Sequence, residues 1–145
     1  MPDDLNKSIP ISSMLARGEV TLLIIEDDKF LRELMAGKFR REGYKILEAT
    51  DGGDGLTQAK KNSPHLIILD LMLPAVSGFD VLEALKKDTE TAKIPVVILS
   101  NLGSQEDIDR ALALGAKEFM VKAQHGPQEI VDTIKRVLDA TYLKK

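Results

Sequence analysis

Three consecutive carboxylates, Glu26, Asp27 and Asp28, end the apolar run in "LLIIEDDKF" at positions 22–30. Two unit charges ~4 Å apart cost roughly 4 kcal/mol at an effective dielectric of ~20, so water or a cation must offset the clustering. A further acid, Asp70, ends another apolar run in "LIILDLMLP". A small hydroxyl, Ser100, follows "VVIL", and an ammonium, Lys122, follows "EFMV". An acid pair, a lone Asp, a hydroxyl and an ammonium are the parts of a site that binds a hard cation such as Mg2+ and handles a phosphoryl group.

Those groups meet only if the runs they terminate are neighbouring strands. Five such runs appear from Val20 onward: "VTLLII" (20–25), "YKILEA" (44–49), "HLIIL" (65–69), "PVVIL" (95–99) and "KEFMV" (117–121). Amphipathic stretches alternate with them, the pattern of βα units on a buried parallel sheet. The first, third and fourth runs are continuously apolar, as central strands covered on both faces should be. The second and fifth carry charges and read as edges, which predicts an α/β fold with strand order 2-1-3-4-5. Leu31, Leu34, Met35 and Phe39 share one helical face, as do Ile130, Val131, Ile134, Val137 and Leu138, and both are read as core stripes. Gly43 and Gly115 stand where helices should stop, and Asp51 and Ser104 where N-caps should. In such sheets ligands bind beyond the carboxyl ends of the strands, where strand order reverses. Here that point lies between the first and third strands, which deliver Glu26, Asp27, Asp28 and Asp70 into one crevice.

Composition bounds the alternatives. The chain has 145 residues, 43% hydrophobic and 30% charged, enough for one globular domain with a sizeable core. A net charge of -3, from 20 basic and 23 acidic residues, gives no footprint for sequence-independent nucleic-acid binding. With no cysteine, disulfides and thiolate sites are excluded. No apolar run approaches a membrane span and the first residues, "MPDDL", lack a signal core, so a soluble cytoplasmic protein is expected.

At the four strand ends the chain closely resembles the receiver domain of two-component response regulators, over residues 20–141. The resemblance implies a flavodoxin-like, doubly wound five-stranded parallel sheet with five flanking helices. Residues 1–19 would be an N-terminal extension with a short helical turn over 12–17, and 142–145 a tail. Asp70 would be the phosphoacceptor, attacking a phosphoryl group in line to give an acyl phosphate. Asp27 and Asp70 would bind Mg2+ directly, Glu26 through water, and the Met72 carbonyl would add a ligand; Mn2+ is expected to substitute. Ser100 and Lys122 would contact the phosphoryl oxygens. Ser100 and Phe119 would form the switch, in which the hydroxyl moves, the ring turns inward and the face of helix 4, strand 5 and helix 5 is remodelled. "LPAVSGFDVL", with Pro74 and Gly78, resembles the loop into helix 3. A histidine kinase or histidine phosphotransfer protein would supply the phosphoryl group. With no effector in this sequence, the output would be protein contact through the face around Ala111, Phe119 and helix 5; a regulator whose output domain lies outside the sequence stands as the alternative.

Some residues depart from that pattern. Ala123 follows Lys122 where the family commonly has a cis proline; a non-proline cis bond costs roughly 2.5 to 4 kcal/mol, so a trans bond and a differently seated lysine are expected. Phe119 lacks the hydroxyl of the tyrosine often found there. Met72 and Leu102 are apolar at positions that govern water attack on the acyl phosphate, so slow loss of phosphate is expected.

Plainer readings stand beside these. Each site residue taken alone reads as a cap, a turn residue or a surface charge; their joint placement favours chemistry. Phe119 alone reads as core. "DGGDG" (51–55) fits a helix N-cap better than a phosphate loop, and His65 and His125, expected to lie too far from the strand carboxyl ends for catalysis, read as structural or solvated. A haloacid-dehalogenase-like phosphatase would need a second Asp at Met72. A phosphorylation-independent pseudo-receiver adaptor of the same fold is the alternative function.

Overall fold

The computed structural model describes residues 13–14 and 18–143; the rest of the N-terminal extension, with most of the turn expected over 12–17, and the last two residues of the expected tail lie outside them. In chain order the elements are β1 (Thr21–Ile25), α1 (Lys29–Arg41), β2 (Lys45–Ala49), α2 (Gly52–Asn62), β3 (Leu66–Leu69), α3 (Gly78–Lys87), β4 (Val96–Ser100), α4 (Gln105–Ala113), β5 (Glu118–Val121) and α5 (Pro127–Tyr142), with a 3-10 turn at Lys122–Gln124. All strand pairs are parallel and the order is β2-β1-β3-β4-β5, as the hydrophobic runs predict. No described helix is long and apolar enough to cross a membrane.

Strand parity divides the core into two layers. Leu22, Ile24, Leu66, Ile68, Val97, Leu99 and Met120 face one way, against Met35 and Phe39 of α1 and Val131, Ile134 and Leu138 of α5. Leu23, Ile25, Ile67, Leu69, Val96 and Ile98 face the other way, against Leu82 and Leu85 of α3 and Ala111 of α4. Because helices cover both sides, every residue of β1 after Thr21, and all of β3 and β4, is buried. The edge strands β2 and β5 are only partly buried. Each buried Leu or Ile contributes roughly 1.5 to 3 kcal/mol relative to exposure.

Helix boundaries follow local chemistry. Asp28, Asp51, Ser77 and Ser104 cap α1, α2, α3 and α4, each side chain accepting a backbone N–H from three residues on. Gly43 and Gly115 take φ of 102° and 112° just past α1 and α4, a conformation that other residues rarely adopt. The core stripe of α1 needs correction: Leu34 is 49% exposed, and the buried face is Met35, Ala36 and Phe39. At about 100° per residue, Leu34 lies at the edge of that face, toward the cleft shared with α5.

Candidate phosphoryl and metal site

Register sets the site. Ile25 pairs with Leu69, so Glu26 and Asp70 leave adjacent strands at the same level. Leu69 pairs with Ile98, and Ser100 with Val121, which brings Ser100 and the following Lys122 to the same edge of the sheet. The sheet thus delivers all four expected groups to one crevice.

The Asp70 carboxylate is buried and accepts three hydrogen bonds. Its Oδ1 accepts from Ser100 Oγ at 2.8 Å and from the Met72 N–H at 3.0 Å; its Oδ2 accepts from Lys122 Nζ at 2.9 Å. The same ammonium lies 2.6 Å from Glu26 Oε1, so one lysine bridges two buried acids. Glu26 Oε2 accepts the Asp28 N–H at 3.1 Å. Burial pushes the Glu26 carboxyl up to about 7; Lys122 and the Asp28 N–H pull against that rise and Asp70 adds to it. Burial by itself would lower the Lys122 ammonium, but hydrogen bonds to Glu26 and Asp70 outweigh it and hold the group above its ordinary value. The lysine is therefore the cation that offsets the acid cluster in this structure.

Glu26, Asp27 and Asp70 each bring one carboxylate oxygen within 4.8 Å of the others, and Asp27 is exposed. Three hard oxygen donors with no nitrogen or sulfur, open to water on the Asp27 side, fit a hard divalent cation. Asp28 is not part of that group, because its side chain caps α1 by accepting the Leu31 N–H.

The structure brings together Glu26, Asp27, Asp70, Ser100 and Lys122. It puts the Met72 N–H against Asp70 Oδ1, with Met72 itself 54% exposed. No cis peptide occurs among the described residues; Lys122 opens the 3-10 turn and still reaches both acids. Phe119 is half-buried against the α2–α4 side of the sheet. Ala111 is fully buried and cannot form part of a contact face; its small apolar side chain belongs to the core. Of the two histidines, His65 is structural: its Nδ1 accepts the Thr21 N–H and its carbonyl accepts the Tyr142 hydroxyl. His125 sits at the site's end of the sheet and shares a cleft with Lys122, contrary to the expectation that both lie far from it, because the 3-10 turn keeps the chain there before α5 starts.

Sequence reasoning missed Arg32. Its Nη1 donates to the Glu26 carbonyl at 2.9 Å and its Nε to Glu48 Oε1 at 3.2 Å, tying the acid-bearing turn to α1 and β2. Only the tertiary meeting of α1 and β2 reveals that role.

The response regulator receiver domain family matches residues 22–135, and the chain belongs to that family. The DNA-binding dual master transcriptional regulator RpaA of Synechocystis sp. is 37% identical over 116 residues, 80% of this chain and 46% of that protein. The phosphate regulon transcriptional regulatory protein PhoB of Escherichia coli is 36% identical over 117 residues, 81% of this chain and 51% of that protein. The chain spans about half the length of these curated relatives. Among solved structures, chemotaxis protein CheY4 of Vibrio cholerae matches with a TM-score of 0.76 and 26% identity, covering 81% of this chain and 98% of that one. A putative response regulator from Chloroflexus aurantiacus matches with a TM-score of 0.77 and 29% identity, covering 82% and 97%.

Proposed function

We propose that this receiver domain is a stoichiometric phosphoacceptor, phosphorylated on Asp70 by a histidine kinase or histidine phosphotransfer protein. The observation that carries the reading is the Asp70 carboxylate itself, held at once by the Ser100 hydroxyl and the Lys122 ammonium. In the reaction an Asp70 oxygen forms a bond to phosphorus as the bond to the donor breaks, and the leaving group takes up a proton. Lys122 and Ser100 then contact the phosphoryl oxygens, neutralising charge that builds up on them. Glu26, Asp27, Asp70 and the Met72 carbonyl would hold Mg2+, or Mn2+ in its place, which when bound supplies positive charge to the phosphoryl oxygens. Met72 stands where a phosphatase of the haloacid-dehalogenase kind would need its second Asp, and a thioether can neither donate nor accept a proton there. Multiple turnover is not expected.

The switch follows from the same contacts. Once the phosphoryl group takes up Ser100, its present bond to Asp70 is lost, and Phe119 on the neighbouring strand repacks, changing the α4–β5–α5 face offered to a downstream protein. A cytoplasmic location fits a partner of the kinase class.

Incubation with acetyl phosphate and Mg2+ should add one phosphoryl mass to the intact protein. The adduct should be absent from Asp70→Asn and from protein kept in a chelator. An adduct that survives either change, or none on folded wild type, rejects the assignment. The apolar neighbours add an expectation about lifetime: Met72→Asn, which can orient a water, should speed loss of the phosphate by about tenfold, followed as decay of the mass adduct.

A further inference from the structure

A cavity of about 290 Å3 lies between α1 and α5, on the layer of the core that faces those helices. Leu31, Met35 and Phe39 of α1, Leu99 of β4 and Ile130 of α5 form its walls. It is a cleft open to solvent on one side, where the half-exposed Leu34 also lines it. Its polar lining residues are all of basic type. Lys38, Arg41, Lys122 and His125 contribute to the lining, and no acid does among the described residues. Lys38 Nζ reaches across to Gln128 Oε1 at 3.1 Å and lies 3.6 Å from Glu42 Oε2, and Lys122 is held by Glu26 and Asp70, whereas the Arg41 side chain makes no hydrogen bond or ion pair among the described residues.

We propose that this cavity binds a small amphiphilic carboxylate, with its chain against Met35, Phe39 and Leu99 and its head group at Lys38 and Arg41. The volume lies near the lower end of small-molecule sites, which run from about 300 Å3 upward. It suits roughly ten heavy atoms and is far too small for a protein helix about 10 Å across. Apolar walls favour a chain, and the Arg41 guanidinium, which has no acid partner among the described residues, favours an anionic end. The cavity also shares a side chain with the acid crevice, because the ammonium of Lys122 bridges Glu26 and Asp70. The inference does not rest on phosphorylation of Asp70.

The test is titration of the full chain with octanoate, below its micelle concentration and in magnesium-free buffer, followed by methyl chemical shifts. Saturable shifts concentrated on Leu31, Met35, Leu99 and Ile130 are expected, with a Kd of about 1 mM for a ligand of this size. Joint replacement Lys38→Gln and Arg41→Gln should weaken binding about tenfold at unchanged Tm. Octan-1-ol, which has the chain without the charge, should bind about tenfold more weakly to the unaltered protein, a comparison that needs no variant. Absence of saturation by about 10 mM, equal binding of the alcohol, or shifts centred elsewhere would each overturn the proposal.

Discussion

Gly78→Ala is expected to destabilise the domain by about 3 kcal/mol, the upper part of the range for overpacking, and to lower Tm by roughly 10 °C. A Cβ at Gly78 would stand 2.3 Å from the Asp70 carbonyl oxygen and 2.4 Å from the Leu71 Cα. Both are backbone atoms, so no side chain can swing aside. The close approach exists because the first turn of α3 sits on the segment that leaves β3: the Gly78 N–H donates to the Leu71 carbonyl at 2.9 Å, and Ser77 caps the helix. Relieving the clash must displace either α3 or the peptide that carries Asp70. A displacement near 1 Å costs a positioned reaction about a hundredfold, so uptake of phosphate should slow by that order even where the variant remains folded. Thermal unfolding by circular dichroism and the rate of adduct formation read the two effects separately. A Tm within about 2 °C of wild type would mean that α3 is not seated on the Asp70 segment.

Lys122→Met should have the second large effect, and its size should depend on pH. Removing one member of a buried ion pair costs roughly 3 to 5 kcal/mol where nothing else compensates. Here Glu26 can take up a proton, which limits the cost to about 2 kcal/mol at pH 8. The sign follows from Glu26, whose folded pKa of about 7 lies above the ordinary carboxylate value of 4.5. A raised carboxyl contributes stability that is complete below the unfolded value and is lost as pH rises through the folded one. Lys122 holds Glu26 down, so its loss pushes the folded value higher still and lets a proton offset more of the damage at low pH. The difference in urea stability between variant and wild type should therefore be small near pH 5 and full near pH 8. An equal difference at both would contradict the bridging role. Divalent cations should raise the Tm of the variant more than that of wild type, because the competing ammonium is gone.

The fold was legible because two periodicities agree. Alternate residues of each central strand are apolar on both faces, which only a doubly covered parallel sheet satisfies, and Gly43 and Gly115 mark the helix stops. The strand runs open one residue early for a physical reason. Val20 and Pro95 each accept a bond from the neighbouring strand, but they lack the full ladder that the next residue has. The site was legible because its groups are fixed to strand ends, whose positions topology sets. What sequence could not give was contact across elements. Nothing local links Arg32 to the Glu26 carbonyl or says that Lys122 would bridge two acids at once. Burial of Ala111 and exposure of Leu34 likewise depend on how each helix is rotated, which spacing leaves open by a residue.

Asp70 alone is expected to be the acceptor among three carboxylates clustered within 4.8 Å. Borohydride reduces an acyl phosphate to an alcohol and leaves free carboxylates untouched, so treatment after phosphorylation marks the acceptor as homoserine. Peptide mass spectrometry should find homoserine at position 70 and unmodified acids at Glu26 and Asp27. Homoserine at Asp27, 5-hydroxynorvaline (the alcohol that a reduced glutamyl phosphate gives) at Glu26, or no reduced residue in protein carrying the phosphoryl mass would contradict that assignment.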